Sequence, residues 1–204
     1  FHGFMMDIRD HADMHRAAID EISAVLGLAT LDAEAMRAEL TSRRPLVGPH
    51  LPVSAPTQRV LDTFRVVRLI QEESGTAAAS TYIVSMAREP EDLLRVLLLA
   101  RETGLVDLAG DTPVSRLDVV PLFETLDDLD NAPAVMRGLL ADPVYRRQLK
   151  ARNNRQEVML GYSDSAKDAG LLSASWGLYR AQEALASVFR DAGVELVPFH
   201  GRGV

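Results

Sequence analysis

The chain has 204 residues, of which 47% are hydrophobic and 25% charged, and its formal net charge is −7. This length and composition can bury one sizeable core, so we expect a single domain over residues 1–204. The charge argues against a nucleic-acid partner, no apolar run is long enough to span a membrane, and the lack of cysteine favours a reducing, cytoplasmic location.

The first half of the chain is predicted to begin with a strand that ends at Arg9. Asp32 is typical of a helix N-cap, Pro90 of a first helical turn and Gly104 of a helix end. Four prolines between residues 45 and 57 predict a loop. The predicted elements are a strand at 3–8, helices at 10–26, 32–40 and 57–73, a strand at 81–86 and a helix at 90–104.

The second half alternates strands with helices in the same way. A strand over residues 117–123 ends at Glu124, and a buried strand at 158–160 runs into a group of small and charged residues. Ser173 is interpreted as the N-cap of a long helix. The predicted elements are strands at 117–123, 158–160 and 195–199, and helices through 141, from 143 and over 173–193.

Chemically unusual residues recur where predicted strands end. They are Arg9, Ser85, Glu124, Asp164 with Lys167, and His200 with Arg202. In a β/α barrel these ends converge on one mouth, whereas in an open doubly wound sheet they lie along a line. No Gly-x-Gly-x-x-Gly, the motif of nucleotide-binding doubly wound sheets, follows a strand. We therefore predict an α/β fold that is a partial, helix-rich TIM-type β/α barrel with five of its eight units.

The stretch 157–170 carries the strongest functional signal. Asp164 and Lys167 follow a buried strand directly, and burying either charge unpaired would cost several kcal/mol, on the order of the penalty known for isolated ions. The two side chains are therefore expected to meet a ligand, a metal or each other. The alternative is a solvated loop with a chance ion pair.

Two carboxylates and three cations are predicted at the same edge. Glu124 and Asp164 are carboxylates on adjacent strand ends with no histidine or cysteine beside them, and such hard oxygen ligands suit magnesium or manganese. The alternative is an acid–base pair as in a glycosidase. Three cations exceed what a neutral sugar requires and favour a small, highly charged anion such as a phosphorylated carboxylate. These cations are Arg9, Lys167 and Arg202.

Other polar groups have plainer interpretations. His200 could donate to the anion, act as acid or base, or be a structural histidine. His11 and His15 superficially offer a zinc face but are read as an exposed helical pair. The acidic run 127–130 is typical of a helix opening, and the basic cluster 146–155 of a solvated helix face.

Three motifs together resemble the phosphoenolpyruvate carboxylase family. They are Pro-Leu-Phe-Glu-Thr at 121–125, Gly-Tyr-Ser-Asp-Ser-Ala-Lys-Asp at 161–168 and Phe-His-Gly-Arg-Gly at 199–203, and residues 7–9 and 81–86 fit as well. The resemblance implies a β/α barrel with added helices, usually assembled as a homotetramer. It also implies that phosphoenolpyruvate and bicarbonate give oxaloacetate and phosphate, with magnesium or manganese and without biotin.

The resemblance assigns a role to each site residue. It makes Lys167 a lysine near bicarbonate and His200 an active-site histidine. The metal ligands correspond to Glu124 and Asp164, and the arginines that hold the substrate phosphate correspond to Arg9 and Arg202.

The chain departs from the family pattern in length and at its last residue. Family members are several times longer, and the Thr-Ala-His-Pro-Thr motif, a second glycine-rich loop and the aspartate-binding region do not occur in these residues. Val204 stands where the family has glycine, and the first residue is not methionine. We expect a fragment that carries the metal- and phosphate-binding part of the site and is inactive alone, with apolar helix faces at 93–98 and 178–189 left exposed. The alternatives are a non-catalytic relic or assembly module, or another phosphoenolpyruvate- or pyruvate-handling barrel enzyme.

Overall fold

A computed structural model describes residues 5–48, 50–161 and 163–200, without the side chains of residues 163–174 and 200. In chain order these residues form β1 Asp7–His11, α1 Ala12–Val25, α2 Ala33–Thr41, α3 Ala55–Ser74, a 3-10 helix Thr76–Ala79, β2 Thr81–Ser85, α4 Pro90–Glu102, β3 Val106–Asp107, β4 Val114–Ser115, β5 Asp118–Phe123, α5 Leu126–Ala141, α6 Pro143–Ala151, β6 Arg155–Leu160, α7 Ser163–Ala192 and β7 Glu195–His200. None of these helices is both long and apolar enough to cross a lipid bilayer.

Five strands form a central sheet in the order β1-β2-β5-β6-β7, and every neighbouring pair is parallel. Each neighbour in the sheet is therefore also the next long strand in the chain, and one or more helices connect the two. This arrangement confirms the predicted α/β class. Because the strands are parallel, their carboxyl ends lie along one edge of the sheet.

Side-chain caps define where several helices begin. The Asp32 carboxylate accepts a hydrogen bond from the Ala35 amide at 2.9 Å, which confirms the predicted cap of α2. At the start of α5 the Thr125 hydroxyl oxygen accepts from the Asp128 amide at 3.1 Å, and the Asp128 carboxylate accepts from the Thr125 amide at 3.0 Å. This capping box confirms the predicted helix opening in the acidic run.

The helix faces that we expected to be exposed are instead packed. In α4, residues 93 and 94 and 96–100 are fully buried, because α1, α2 and α3 pack around this helix. In α7, Leu185 and Phe189 are each 1% exposed because the helix packs along α5. The prediction of exposed apolar patches at 93–98 and 178–189 is therefore wrong, since helices within the chain cover both faces.

Several element boundaries differ from the predicted ones. The last helix begins at Ser163 and not at Ser173, so that the charged stretch after β6 is helical from its start. Helix α3 begins at Ala55 with Pro56 in its first turn, where proline is tolerated. Strand β1 extends through Arg9 to His11.

The β3–β4 hairpin is an element that the sequence did not predict. Its two strands have only two residues each and pair antiparallel, with Val106 opposite Ser115. Such short strands leave no measurable alternation of apolar and polar residues.

Candidate active site

Two of the predicted site residues, Arg9 and Glu124, are in direct contact. Arg9 lies on β1 and Glu124 follows β5 immediately, and these two strands flank β2. The Arg9 guanidinium donates a hydrogen bond through Nη2 to Glu124 Oε1 and forms an ion pair with it. The Arg9 side chain is 51% exposed and that of Glu124 14%. The structure therefore brings one predicted cation and one predicted metal ligand together.

The main chain of Glu124 is anchored at the start of α5. Its amide donates to the Asp128 carboxylate at 3.4 Å, beside the shorter bond from the Thr125 amide to the same oxygen. Asp128 is itself 5% exposed, and Arg88 Nε lies 3.9 Å from its other carboxylate oxygen. These partly buried hydrogen bonds fix the point from which the Glu124 side chain leaves the main chain.

Gly161 lies against Glu124 from the neighbouring strand. Its amide donates to the Phe123 carbonyl at 2.7 Å, which continues the pairing of β5 with β6. A Cβ atom at position 161 would lie 2.9 Å from the Glu124 Cα and 3.3 Å from its Cβ and Cγ. The sequence analysis noted Gly161 only as the start of a motif. A glycine directly after a buried strand was the available signal of a close main-chain approach.

The other predicted site residues are only partly described. Asp164 and Lys167 lie in the first two turns of α7, which follows β6, the neighbour of β5. His200 is the last residue of β7 and pairs in register with Leu160. The side chains of these three residues, and all of Arg202, lie outside the described part of the chain. Their contacts with Arg9 and Glu124 stay predictions.

Ser85 also follows the pattern of polar residues at strand ends. It is 7% exposed, and its hydroxyl donates to the main-chain oxygen of Asp10 at 3.1 Å. The bond joins the last residue of β2 to β1. Ser85 therefore helps to hold the strand that carries Arg9.

The predicted exposed pair of His11 and His15 is wrong for His15. His15 is 0% exposed, and its Nε2 lies 2.8 Å from the Tyr82 hydroxyl on β2. Burial lowers the pKa of His15 to about 4, although the nearby Asp10 and Asp92 carboxylates raise it. His11 Nδ1 instead accepts from the Asp13 amide at 3.1 Å and caps α1. The helix packs against the sheet on the side that carries His15.

Among the residues with described side chains, no group of three or more His, Cys, Asp or Glu could hold a metal ion. Of the two predicted metal ligands, Glu124 is the one whose side chain lies in the described part of the chain. Its carboxylate is partly exposed and offers hard oxygen donors at the carboxyl edge of the sheet, which suits magnesium or manganese. The donor chemistry thus fits such an ion.

The basic cluster at 146–155 is largely structural, and its interpretation as a solvated helix face is wrong for three arginines. Arg152 pairs with Asp118 through two bonds of 2.8 and 2.6 Å. Arg147 donates to the carbonyls of Leu108 and Gly110, and Arg146 donates to the Ala192 carbonyl at 2.8 Å. These contacts tie α6 to the hairpin region, the start of β5 and the end of α7.

The fold and site define an α/β protein with oppositely charged groups at the carboxyl edge of a parallel sheet. A profile of the family described as phosphoenolpyruvate carboxylase matches residues 1–204. The chain is 47% identical over 212 residues to the phosphoenolpyruvate carboxylase of Gloeobacter violaceus, covering 100% of this chain and 22% of that protein. It is 41% identical over 211 residues to that of Mycobacterium leprae (100% and 23%), and 43% identical over 205 residues to phosphoenolpyruvate carboxylase 2 of Arabidopsis thaliana (97% and 20%).

The chain therefore belongs to the phosphoenolpyruvate carboxylase family, as its motifs indicated. It spans about a fifth of the length of these curated relatives.

Proposed function

We propose that the protein containing these residues catalyses the reaction of phosphoenolpyruvate with bicarbonate to give oxaloacetate and phosphate. The observation that carries the proposal is the contact between Arg9 and Glu124 at the carboxyl edge of the sheet, in a chain of this family. A cation for phosphate and a carboxylate for a metal are the two kinds of group that the reaction requires. They come from separate strands, as expected for a site built at strand ends.

We further propose that the sheet is part of a TIM-type β/α barrel. The order of the five strands in the sheet follows their order in the chain, as it does around a barrel. A doubly wound sheet instead reverses its strand order at the point where ligands bind. The protein would form the family's usual tetramer. It would be located in the cytoplasm, with which the lack of cysteine in the chain is compatible.

Glu124 and Asp164 would hold the magnesium or manganese ion, and no biotin is required. When bound, the ion would supply a Lewis acid for the negative charge on the reacting oxygens. Arg9 and Arg202 would bind the phosphate of phosphoenolpyruvate, where guanidinium groups can make paired hydrogen bonds. Lys167 would lie near bicarbonate. The histidine at 200 would donate a hydrogen bond or transfer a proton.

In the reaction, a bicarbonate oxygen forms a bond to phosphorus while the bond from phosphorus to the enol oxygen breaks. The products of this step are carboxyphosphate and the enolate of pyruvate. Carboxyphosphate then releases carbon dioxide and phosphate, and the enolate carbon attacks carbon dioxide. The cationic side chains would orient the two anions and screen their repulsion, which is the main obstacle to the first step.

The ion pair of Arg9 with Glu124 has a direct consequence for substrate binding. The Nη2 donor of Arg9 that contacts Glu124 cannot bind a substrate phosphate through the same N–H, so use of this donor for phosphate would open the pair. Its opening is inexpensive because the Arg9 side chain is half exposed.

The substitution Glu124→Gln tests the proposal. It removes one carboxylate and should weaken Mn²⁺ binding, measured by calorimetry, about tenfold or more, with a larger loss of oxaloacetate formation in a coupled assay. Asp127→Asn is the matched control, since Asp127 is an exposed carboxylate in the first turn of α5. Equal Mn²⁺ affinity in Glu124→Gln and the unmodified protein would overturn the metal assignment. A protein that binds Mn²⁺ but forms no oxaloacetate would favour the non-catalytic alternative.

A further inference from the structure

We propose that Gly161 is a positioning residue that sets the location of the Glu124 carboxylate through a direct main-chain contact. The inference rests on the proposed role of Glu124 as a metal ligand. Gly161 itself offers no side chain to a substrate or a metal. Its contribution is to let the end of β6 approach Glu124 more closely than any other residue would allow.

The closeness of this approach explains why position 161 requires glycine. A Cβ at this position would be 2.9 Å from the Glu124 Cα, a distance that real Cβ atoms essentially never show. Gly161 is not among the glycines with positive φ, which are Gly27, Gly75, Gly104 and Gly193. The requirement is therefore steric, since Gly161 does not have the positive φ that favours glycine.

An added methyl group would have to displace Glu124. Gly161 is held in place by its 2.7 Å hydrogen bond to Phe123, which belongs to the neighbouring strand. The contacted atoms include the Glu124 Cα, so a change of side-chain rotamer cannot relieve the clash. The strands must separate or the start of α5 must shift. Either movement carries the main chain of Glu124 with it, and metal–ligand distances in real sites lie within about 0.2 Å of their usual values.

Another glycine of the chain provides a matched control. A Cβ at Gly138, inside α5, would also lie at 2.9 Å, but from Cγ of Pro90. The shortest distance equals that at position 161, but it is the one close contact and it involves a side-chain atom on another helix. Gly138→Ala therefore introduces a single contact of the same length without touching Glu124.

The test compares Mn²⁺ binding by calorimetry in the unmodified protein, Gly161→Ala, Glu124→Gln, the double variant and Gly138→Ala. We expect Gly161→Ala to weaken Mn²⁺ binding about tenfold, comparable to the loss of a residue that orients a metal ligand, and Gly138→Ala to change it less than about twofold. In the Glu124→Gln background, Gly161→Ala should have no further effect, because the group that it positions no longer binds the metal.

Two results would separate failure of this inference from failure of the proposed function. If Glu124→Gln weakens Mn²⁺ binding and Gly161→Ala does not, the positioning role is overturned while the metal role of Glu124 stands. If Glu124→Gln binds Mn²⁺ as tightly as the unmodified protein, the metal role assigned to Glu124 under the proposed function fails, and the positioning role fails with it. An effect of Gly161→Ala that persists undiminished in the double variant would indicate a general structural role and would also overturn the inference.

A second measurement needs no change at position 161 and applies if Gly161→Ala does not fold. With glycine-selective ¹⁵N labelling, the Gly161 amide resonance should shift when Mg²⁺ is added, because its hydrogen-bond acceptor Phe123 directly precedes Glu124. The shift should be absent in Glu124→Gln, and the Gly138 resonance should stay in place in both proteins. A Gly161 resonance that does not respond to Mg²⁺ in the unmodified protein would overturn the inference.

Discussion

Lowering the pH should destabilise the protein through His15, which is buried between α1 and β2. The imidazole is fully covered and contacts the Tyr82 hydroxyl at 2.8 Å, and Tyr82 in turn stacks on Phe64 with ring centroids 4.8 Å apart. His15 Nδ1 has no hydrogen-bond partner in the described structure. Burial in this environment disfavours the charged imidazolium and lowers the pKa of His15 from 6.5 to about 4.

The size and direction of the effect follow from the two pKa values. Between pH 6.5 and pH 4 the unfolded chain binds a proton at His15 and the folded protein does not, so the free energy of unfolding falls as the pH falls through this window. One pKa unit corresponds to about 1.4 kcal/mol, which gives a total loss of about 3 kcal/mol below pH 4. Of this, about 2 kcal/mol is already lost between pH 8 and pH 5.

Urea unfolding at pH 8, 6.5 and 5 measures the effect. Other groups also titrate in this range, so the informative quantity is the difference between the unmodified protein and His15→Gln, which keeps a donor and an acceptor but has no imidazole. The variant should lose about 2 kcal/mol less between pH 8 and pH 5. His50→Gln, at an exposed loop position, controls for the removal of an imidazole elsewhere. Equal losses in His15→Gln and the unmodified protein would refute the argument.

Two further predictions concern the candidate site and the core. Arg9→Ala should tighten Mn²⁺ binding in the absence of substrate by up to about fivefold, since an exposed ion pair contributes about 0–1 kcal/mol. The same substitution should raise the KM for phosphoenolpyruvate. An unchanged Mn²⁺ affinity in calorimetry and an unchanged KM would contradict the exchange of Arg9 between Glu124 and phosphate. Tyr145→Phe should lower the free energy of unfolding by about 1–2 kcal/mol, because the buried Tyr145 hydroxyl donates to Gln156 Oε1 at 2.6 Å. In urea unfolding, Tyr179→Phe, which removes a hydroxyl from a residue 55% exposed, should have a much smaller effect, and equal losses would argue against a stabilising bond.

Features that depend on neighbouring residues in the sequence could be predicted. Asp32 was identified as a cap because capping involves residues only three positions apart. The strand ending before Glu124 is recognisable from the apolar run that follows Asp118. If the strands are parallel, the predicted strand ends alone place Arg9 and Glu124 at a common edge of the sheet, although the two residues are far apart in the chain.

Features that depend on distant partners could not be predicted. Nothing near His15 in the sequence indicates that Tyr82 will cover it, and so it was read as exposed. The helical start of α7 at Ser163 was missed for a related reason. Small and charged residues are compatible with both loop and helix, and packing against α5 is not visible in a local pattern.

The strand order of the sheet bears on how the chain folds during synthesis. Each long strand after β1 pairs with the strand made just before it, so that β2, β5, β6 and β7 can each be added to an edge that is already on the nascent chain. A doubly wound sheet, with an order such as 3-2-1-4-5-6, is instead extended first at one edge and then at the other. Parallel pairing is slow because each crossover must close a loop, yet here the loops close one at a time and in the direction of translation. Growth of this kind takes place at one edge only: β2, β5 and β6 each present an edge that the following long strand covers as it emerges from the ribosome, while the outer side of β1 takes no part.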